Sequence, residues 1–150
     1  MKYYEIYLPM PTSINKAKDV QGGYWNPKTR KREGLVYRSK EYQDWIKAAG
    51  MAWRDQYSAG ISSQFTGRIG VVYVFVWPIN DPNGVKSDIG NREKVLSDYI
   101  KGKFFEDDKM IDEQRQYRRL WGSKRPYAWV RVYEILDKRY SDPALIFNPG

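Results

Sequence analysis

The sequence predicts an α/β chain of the α+β kind: one compact domain in which a mixed β-sheet of about four or five strands packs with two main helices. The first observation is the unbroken apolar and aromatic run at residues 71–77, which is typical of a strand buried on both faces. The second is a pair of segments, residues 39–57 and 88–100, in which apolar residues recur every three or four positions. The third is a length of 150 residues without an internal repeat, which fits a single domain.

The N-terminal part begins with a predicted strand, because Tyr3 to Leu8 alternates between polar and apolar positions and a Pro-rich cluster follows. Residues 16–36 are expected to form a flexible basic loop, either a functional phosphate-binding segment or a disordered one. Ser39 then predicts the start of a helix that ends near Tyr57. The basic residues of this loop and its end are Lys16, Lys18, Lys28, Arg30, Lys31, Arg32, Arg38 and Lys40.

The C-terminal part alternates strands with one helix. After the buried strand at 71–77, residues 78–84 break the chain, and the second helix runs from about Asp88 to Ile100, with Gly102 placed to end it. Residues 111–120 and 127–135 predict two further strands around a turn at Gly122. The tail, residues 137–150, carries no pattern.

Composition excludes several kinds of chemistry. The chain contains no His and no Cys, which excludes a Ser-His-Asp triad, a thiolate nucleophile and a zinc finger. Any metal must be held by oxygen, and this favours Mg²⁺, Mn²⁺ or Ca²⁺. The sequence has neither a membrane-length apolar run nor the apolar run of a signal peptide, so we expect a cytoplasmic protein.

Charge is distributed unevenly along the chain. The net charge is +8, yet residues 81–113 hold nine acidic and six basic residues. A basic body suggests a polyanionic partner such as nucleic acid. The acidic segment fits either a metal site in a nuclease or a solvated acidic helix face.

Helical geometry separates the faces of the 88–100 segment. With Asp88 set at zero, Asn91, Lys94 and Asp98 fall at about 240° to 300°, and the apolar residues fall at about 80° to 120°. Asp88 stands at the helix start, where it either caps the helix or faces a cleft. The adjacent carboxylates of Glu106, Asp107 and Asp108 repel one another unless solvent, a cation or a metal compensates them.

Two motifs of the chain resemble those of the RusA-type Holliday-junction resolvases. The first is Asp88-Ile-Gly-Asn91-Arg-Glu-Lys94, with Asp98 four residues on, followed by Asp107-Asp108. It is similar to the family pattern Asp-x-Asp-Asn-x-x-Lys-x-x-x-Asp, a short turn and Asp-Asp. The second is the opening Leu-Pro-Met-Pro-Thr-Ser-Ile-Asn at residues 8–15, similar to Leu-Pro-x-Pro-Pro-Ser-x-Asn. The resemblance spans about residues 4–135.

This resemblance implies a RusA-like fold and a homodimeric, Mg²⁺-dependent endonuclease (Mn²⁺ as an alternative ion) that cuts branched DNA such as four-way junctions, for recombination and repair. It implies metal binding by Asp88 and Asp108 and a catalytic role for Lys94. The supporting residues are Asn91, Asp98, Asp107 and Glu93. One departure is that Gly90 stands where the family has its second aspartate. Glu93, Asp112 or Asp81 would substitute for it, or the site binds metal weakly, or the protein is a branched-DNA-binding relative that cuts weakly or not at all.

The remaining basic and aromatic residues predict contacts with nucleic acid. Arg118 and Arg119 lie on a predicted strand beside the site and are candidates for gripping phosphates, although charged side chains also protect strand edges. Together with the loop residues Lys16, Lys18, Lys28, Arg30, Lys31 and Arg32 they form the predicted DNA-binding set. A third hypothesis is an RNA or structural nucleic-acid binder, for which Tyr117, Trp121 and Tyr127 would be stacking surfaces.

Overall fold

The computed structural model describes residues 2–14, 18–58, 60, 64–121 and 124–135, with the backbone alone for residues 18–26 and 31–38. Within these ranges the helices and strands follow one another in the order β1 (Tyr3–Pro9), β2 (Lys18–Asn26), β3 (Lys31–Arg38), α1 (Lys40–Gln56), β4 (Ile69–Trp77), α2 (Pro82–Lys86), α3 (Ile89–Ile100), β5 (Ile111–Leu120) and β6 (Tyr127–Glu134). The predicted tail at 137–150 and Lys16 lie outside the described residues.

Four strands form a mixed sheet in the order β1-β6-β4-β5. β4 and β5 run parallel, with Ile69 opposite Ile111 and Trp77 opposite Leu120. β6 runs antiparallel to β4 and also to β1. The α+β class and the mixed sheet are therefore confirmed. The predicted strands at 111–120 and 127–135 are confirmed as β5 and β6; they do not pair with each other, because β4 lies between them.

β4 is the centre of the sheet, and each of its nine residues is buried. Its odd-numbered side chains, Tyr73 among them, join α1 and α3 in the main core. The valines at even positions form a second cluster on the other face with Trp129 and Tyr133. The prediction of a strand buried on both faces is confirmed, and the alternation places the Tyr73 side chain under the helices.

Helix α1 begins where the sequence predicts. The Ser39 hydroxyl accepts a hydrogen bond from the Tyr42 amide at 3.1 Å, which caps the helix. Trp45 and Ala49 are buried on the predicted apolar stripe. The indole Nε1 of Trp45 donates to the Pro9 carbonyl at 2.9 Å and joins α1 to the end of β1.

Helix α3 returns along the sheet from the end of β4 to the start of β5. Its bounds confirm the predicted helix, with Asp88 as the N-cap residue. The short helix α2, which the sequence analysis took for a break, precedes it: Asp81 caps it by accepting from the Asn83 amide at 2.8 Å, and Pro82 fits its first turn. Gly84 packs against Trp77 and Leu120, where a Cβ atom would lie 2.7 Å from the leucine.

The segment expected to be a loop, residues 16–36, instead contains an antiparallel hairpin of β2 and β3, with Lys18 opposite Arg38. The expectation of a loop without regular structure is therefore wrong for this backbone. Glycines that suggested a loop instead lie within the paired strands, where the register shifts between Gln21 and Gly23 as at a β-bulge. Arg30 closes the turn with a positive φ of 53°.

No helix in the part of the chain that the structure describes is long and apolar enough to cross a membrane.

Candidate active site

Asp88 stands at the N-terminus of α3 and is exposed. Its Oδ1 accepts a hydrogen bond from the Gly90 amide at 2.9 Å, so the side chain caps the helix. A carboxylate is favourable here because it meets free amide groups and the positive end of the helix dipole. Capping of the helix by Asp88, one of the two roles predicted from the sequence, is therefore observed.

Two arginines hold the chain around Asp88. Arg118 on β5 donates from Nη1 to the Val85 carbonyl at 2.9 Å and from Nη2 to the Ser87 carbonyl. Arg92 on α3 donates to the Ser87 hydroxyl and to the Pro11 carbonyl. Burial lowers the pKa of Arg92 from its ordinary value. Arg118, predicted to contact DNA, is thus bonded to the segment before α3, and its contact with DNA stays a prediction.

The other predicted site residues of α3 differ in their exposure to solvent. Lys94 and Asp98 are exposed, and Asn91 is half-buried. Glu93 is the exception, because its side chain is only 7% exposed. On a helical wheel it lies at about 140° from Asp88, beside the apolar residues. That angle was the sequence signal for a buried carboxylate.

Asp107 and Asp108 lie after α3, in the short 3-10 turn before β5. The Asp107 Oδ1 accepts from the Lys109 amide at 2.9 Å and caps this turn. Asp108 is exposed, and its Oδ2 lies 3.5 Å from the Lys101 Nζ. Both groups of this pair are about half exposed, so the ion pair is weak.

A pocket of about 370 Å³ opens between α3 and the start of β5. Its lining includes both Asp108 and Glu93, which lie on separate elements. The full lining is Glu93, Ser97, Asp108, Ile111, Asp112, Glu113 and Gln114.

Two further carboxylates of the pocket have close partners. Asp112 pairs with Arg68, whose Nε lies 2.9 Å from the Asp112 Oδ1. Glu113 accepts a hydrogen bond from the Tyr133 hydroxyl at 2.6 Å. Among the described residues, no group of three or more carboxylates is arranged to hold a metal ion.

The side chain of Tyr73 is fully buried, and its hydroxyl neighbours Ser97 and Glu93 of the pocket lining. Burial raises the pKa of Tyr73, and the charge of Glu93 adds to the effect, followed by that of Asp108. Burial likewise raises the pKa of Glu93, with a further contribution from Asp98. Tyr73 and Ser97 were missed by the sequence analysis, because the first was one residue in an apolar run and the second lacked a chemical signature.

The structure separates Asp88 from Asp108 within one chain. Asp88 begins α3, whereas Asp108 pairs with Lys101, which follows the end of α3. A helix of 12 residues is about 18 Å long at 1.5 Å per residue. Asp88 is not among the residues that line the pocket at Asp108, and the joint metal binding of Asp88 and Asp108 stays a prediction.

The predicted DNA-binding residues are spread over two regions. Lys28 and Arg30 are exposed at the turn of the hairpin. Arg119 on β5 lies over the Tyr117 ring at 4.9 Å and the Trp121 ring at 5.8 Å. The side chains of Lys18, Lys31 and Arg32 are outside the described part of the structure, as is Lys16.

Comparison with known families gives a match over most of the chain. The model of the family described as Endodeoxyribonuclease RusA matches residues 22–133, which is most of the chain. The match includes α3, the turn with Asp107 and Asp108, and both strands that flank β4. No curated protein matches the chain.

Proposed function

The chain belongs to the RusA family of endodeoxyribonucleases, and from this premise we propose that it is a Mg²⁺-dependent endonuclease that cuts Holliday junctions and other branched DNA. The observation that carries the proposal is the solvent-open acidic pocket at Asp108 on a protein with a net charge of +8. Positive charge attracts the DNA backbone, and a local group of carboxylates binds the cation that hydrolysis requires.

The donor set of the pocket fits a hard divalent cation. Glu93, Ser97, Asp108 and Gln114 all offer oxygen atoms, and oxygen ligands are those that Mg²⁺ and Mn²⁺ prefer. When bound, such an ion lowers the pKa of water and stabilises charge on a phosphate. Asp108 is the proposed ligand that both the resemblance and the pocket support.

The chain's own residues have separate proposed roles. Lys94, exposed on α3, supplies positive charge for a phosphate oxygen. Asp88 remains the second proposed metal ligand, and Asn91, Asp98 and Asp107 support the same region. The chain contains no His, and we propose that a carboxylate or a lysine accepts the proton released from the attacking water.

We also propose that the protein acts as a homodimer, with one site in each subunit and paired cuts across a four-way junction. We also propose a cytoplasmic location.

The deciding experiment compares a synthetic four-way junction with a linear duplex of the same sequence, in Mg²⁺. The proposal expects nicks at the branch point of the junction and far slower cutting of the duplex. Equal cutting of both substrates, or a product that forms equally well in chelator, would contradict it. Sedimentation analysis of the free protein tests the dimer separately.

Gly90 supports a second candidate, a branched-DNA-binding relative that does not cut. Gly90 replaces the aspartate that the resemblance expects. This candidate predicts tight, steeply salt-dependent binding of the four-way junction, without product in Mg²⁺ or Mn²⁺.

A further inference from the structure

We propose that the outer face of β5, the face turned away from the helices, binds an unpaired, single-stranded segment of DNA. The side chains of this face alternate between cationic and aromatic groups: Arg115, Tyr117 and Arg119, with Trp121 directly after the strand. The inference rests on the proposed function only for the class of ligand, which is DNA. Its test measures binding in chelator, so its failure is distinguishable from the failure of the proposed cutting.

The position of β5 in the sheet brings these side chains together. β5 is an edge strand, because it pairs with β4 alone, and residues two apart on a strand share a face at a spacing of about 6.8 Å. Arg115, Tyr117 and Arg119 stand opposite even-numbered valines of β4, which belong to the cluster on the face away from α1 and α3. Arg118, on the other face, bonds to the segment before α3. Cations and rings therefore lie together along one edge of the sheet.

Arg119 is held in place by its neighbours on this face. Its guanidinium lies 4.9 Å from the centre of the Tyr117 ring and 5.8 Å from that of the Trp121 ring, within the range at which a cation is attracted to an aromatic ring. Its Nη1 also donates to the Arg118 carbonyl oxygen at 2.8 Å. No carboxylate among the described residues forms an ion pair with Arg119. The charge is thus fixed in position and uncompensated, which favours a phosphate as its partner.

Trp121 presents an aromatic ring to solvent at the end of the sheet. Its side chain is 45% exposed, and its amide donates to the Trp77 carbonyl at 3.2 Å, which fixes the backbone at the end of β4. Ile79, two residues after Trp77, and Val85 on α2 are also exposed. Exposed apolar residues that occur singly are ordinary, whereas several at one end of a sheet indicate a contact surface.

The chemistry of this surface fits an unpaired strand better than a duplex. The bases of a duplex stack on one another, whereas an unpaired base offers its ring to an aromatic side chain such as Trp121. Cations beside that ring meet the phosphates that flank the base. The exposed Arg115 adds a second positive charge along the strand. Because the family consists of endodeoxyribonucleases, the ligand is an unpaired DNA strand, such as one released where a branch opens.

The opposite edge of the sheet provides a matched contrast. Tyr3 on β1 is likewise exposed, and the guanidinium of Arg131 lies 4.3 Å from its ring. The Arg131 Nη2, however, lies 2.7 Å from the Glu5 Oε2, so a carboxylate offsets this positive charge. The β1 edge therefore pairs a ring with a compensated cation, and Tyr3 serves as the control position.

The experiment is a fluorescence anisotropy titration of the full chain against a labelled thymidine oligonucleotide of about 12 residues, in chelator and at several salt concentrations. The wild type should bind, and Trp121→Ala should weaken binding about fivefold or more, as for the loss of one stacked base. Trp121→Phe should keep most of the affinity, because it keeps a ring. Tyr3→Ala should bind like the wild type.

The salt dependence tests the two arginines separately. Arg115→Gln and Arg119→Gln should each reduce, by about 0.7, the slope of the logarithm of the association constant against the logarithm of salt concentration. Trp121→Ala should leave this slope unchanged, because it removes a ring and no charge. An unchanged slope in both arginine variants would contradict the assignment of phosphate contacts to this face.

Three further results would overturn the proposal. The first is wild-type affinity in Trp121→Ala, with folding checked by circular dichroism. The second is an equally large loss for a linear duplex, which has no unpaired base to stack. The third is a monomeric Trp121→Ala at a concentration where the wild type sediments as a dimer, which would assign the face to a second copy of the chain. A chain that binds the oligonucleotide through Trp121 but never cuts a junction would contradict the proposed function and support this surface.

Discussion

The guanidinium of Arg92 on α3 donates a hydrogen bond to the carbonyl oxygen of Pro11, 81 residues earlier in the chain. The contact joins the two motifs that carried the family resemblance, the Pro-rich opening and the acidic helix. It also crosses the end of β4, because the same guanidinium lies 5.8 Å from the Trp77 ring. The Pro-rich segment therefore supports the start of α3.

Replacing Arg92 tests this support. Arg92→Met removes hydrogen bonds to Pro11 and to Ser87 and should lower the free energy of unfolding by about 2 kcal/mol, as expected for bonds from a charged donor. Arg92→Lys should recover little of this stability, since a single ammonium group cannot reach both acceptors as the planar guanidinium group does. Urea unfolding measures both variants, and full recovery by lysine would contradict the geometric argument.

Asp108→Asn tests the metal-binding carboxylate through activity. The variant should cut a four-way junction about 100-fold more slowly or worse, because a bound cation supplies several kcal/mol of charge stabilisation and each 1.36 kcal/mol is tenfold in rate. Binding of the junction should stay close to that of the wild type. Glu106→Gln, on an exposed carboxylate two residues away, is the matched control. Equal cutting by Asp108→Asn and the wild type would remove Asp108 from the site.

Gly90→Asp separates the nuclease from the non-cleaving relative. A Cβ atom at position 90 would lie 3.2 Å from the Asp88 Oδ1, and the exposed Asp88 side chain can move to admit it. If Glu93 already serves the ion, the added carboxylate should change the cutting rate less than about threefold, which is under 1 kcal/mol. Activity that appears only in Gly90→Asp, and not in Gly90→Asn, would support the non-cleaving relative instead.

Ser39→Ala tests the start of α1 apart from any activity. Loss of the hydroxyl that accepts from the Tyr42 amide should cost about 1 kcal/mol of stability. Ser39→Thr keeps a capping hydroxyl and should lose less. Thermal unfolding followed by circular dichroism compares the two, and equal losses would show that packing of the buried Ser39, rather than capping, is what matters.

The buried Glu93 predicts a pH dependence of stability in metal-free buffer. Burial raises the pKa of Glu93 above the ordinary value of 4.5, so the folded state keeps its proton to a higher pH than the unfolded state. Stability contributed by this group is therefore fully present below 4.5 and is lost as pH rises through the folded pKa. Glu93→Gln lacks the titration and should become more stable relative to the wild type across this window. Urea unfolding at a series of pH values, in chelator, should show diverging curves; parallel curves would contradict the prediction.

The sequence by itself determined much of the local structure. Some features depend only on neighbours within one turn or strand, so the sequence alone predicts them. They are the caps at Ser39 and Asp88, the apolar run of β4, and the spacing of apolar residues every three or four positions in the helices. The absence of His and Cys already required oxygen ligands for any metal. The motif spacing identified the family, and it predicts a metal-binding role for the carboxylate of Asp108.

Only the tertiary structure decided which carboxylates meet. Asp88 caps the start of α3, whereas Asp108 lines a pocket with Glu93 from the middle of that helix. β4 also separates β5 from β6, although these strands are consecutive in the chain. Such relations depend on strand order and helix placement, which arise from packing between residues distant in sequence, and no local pattern specifies them.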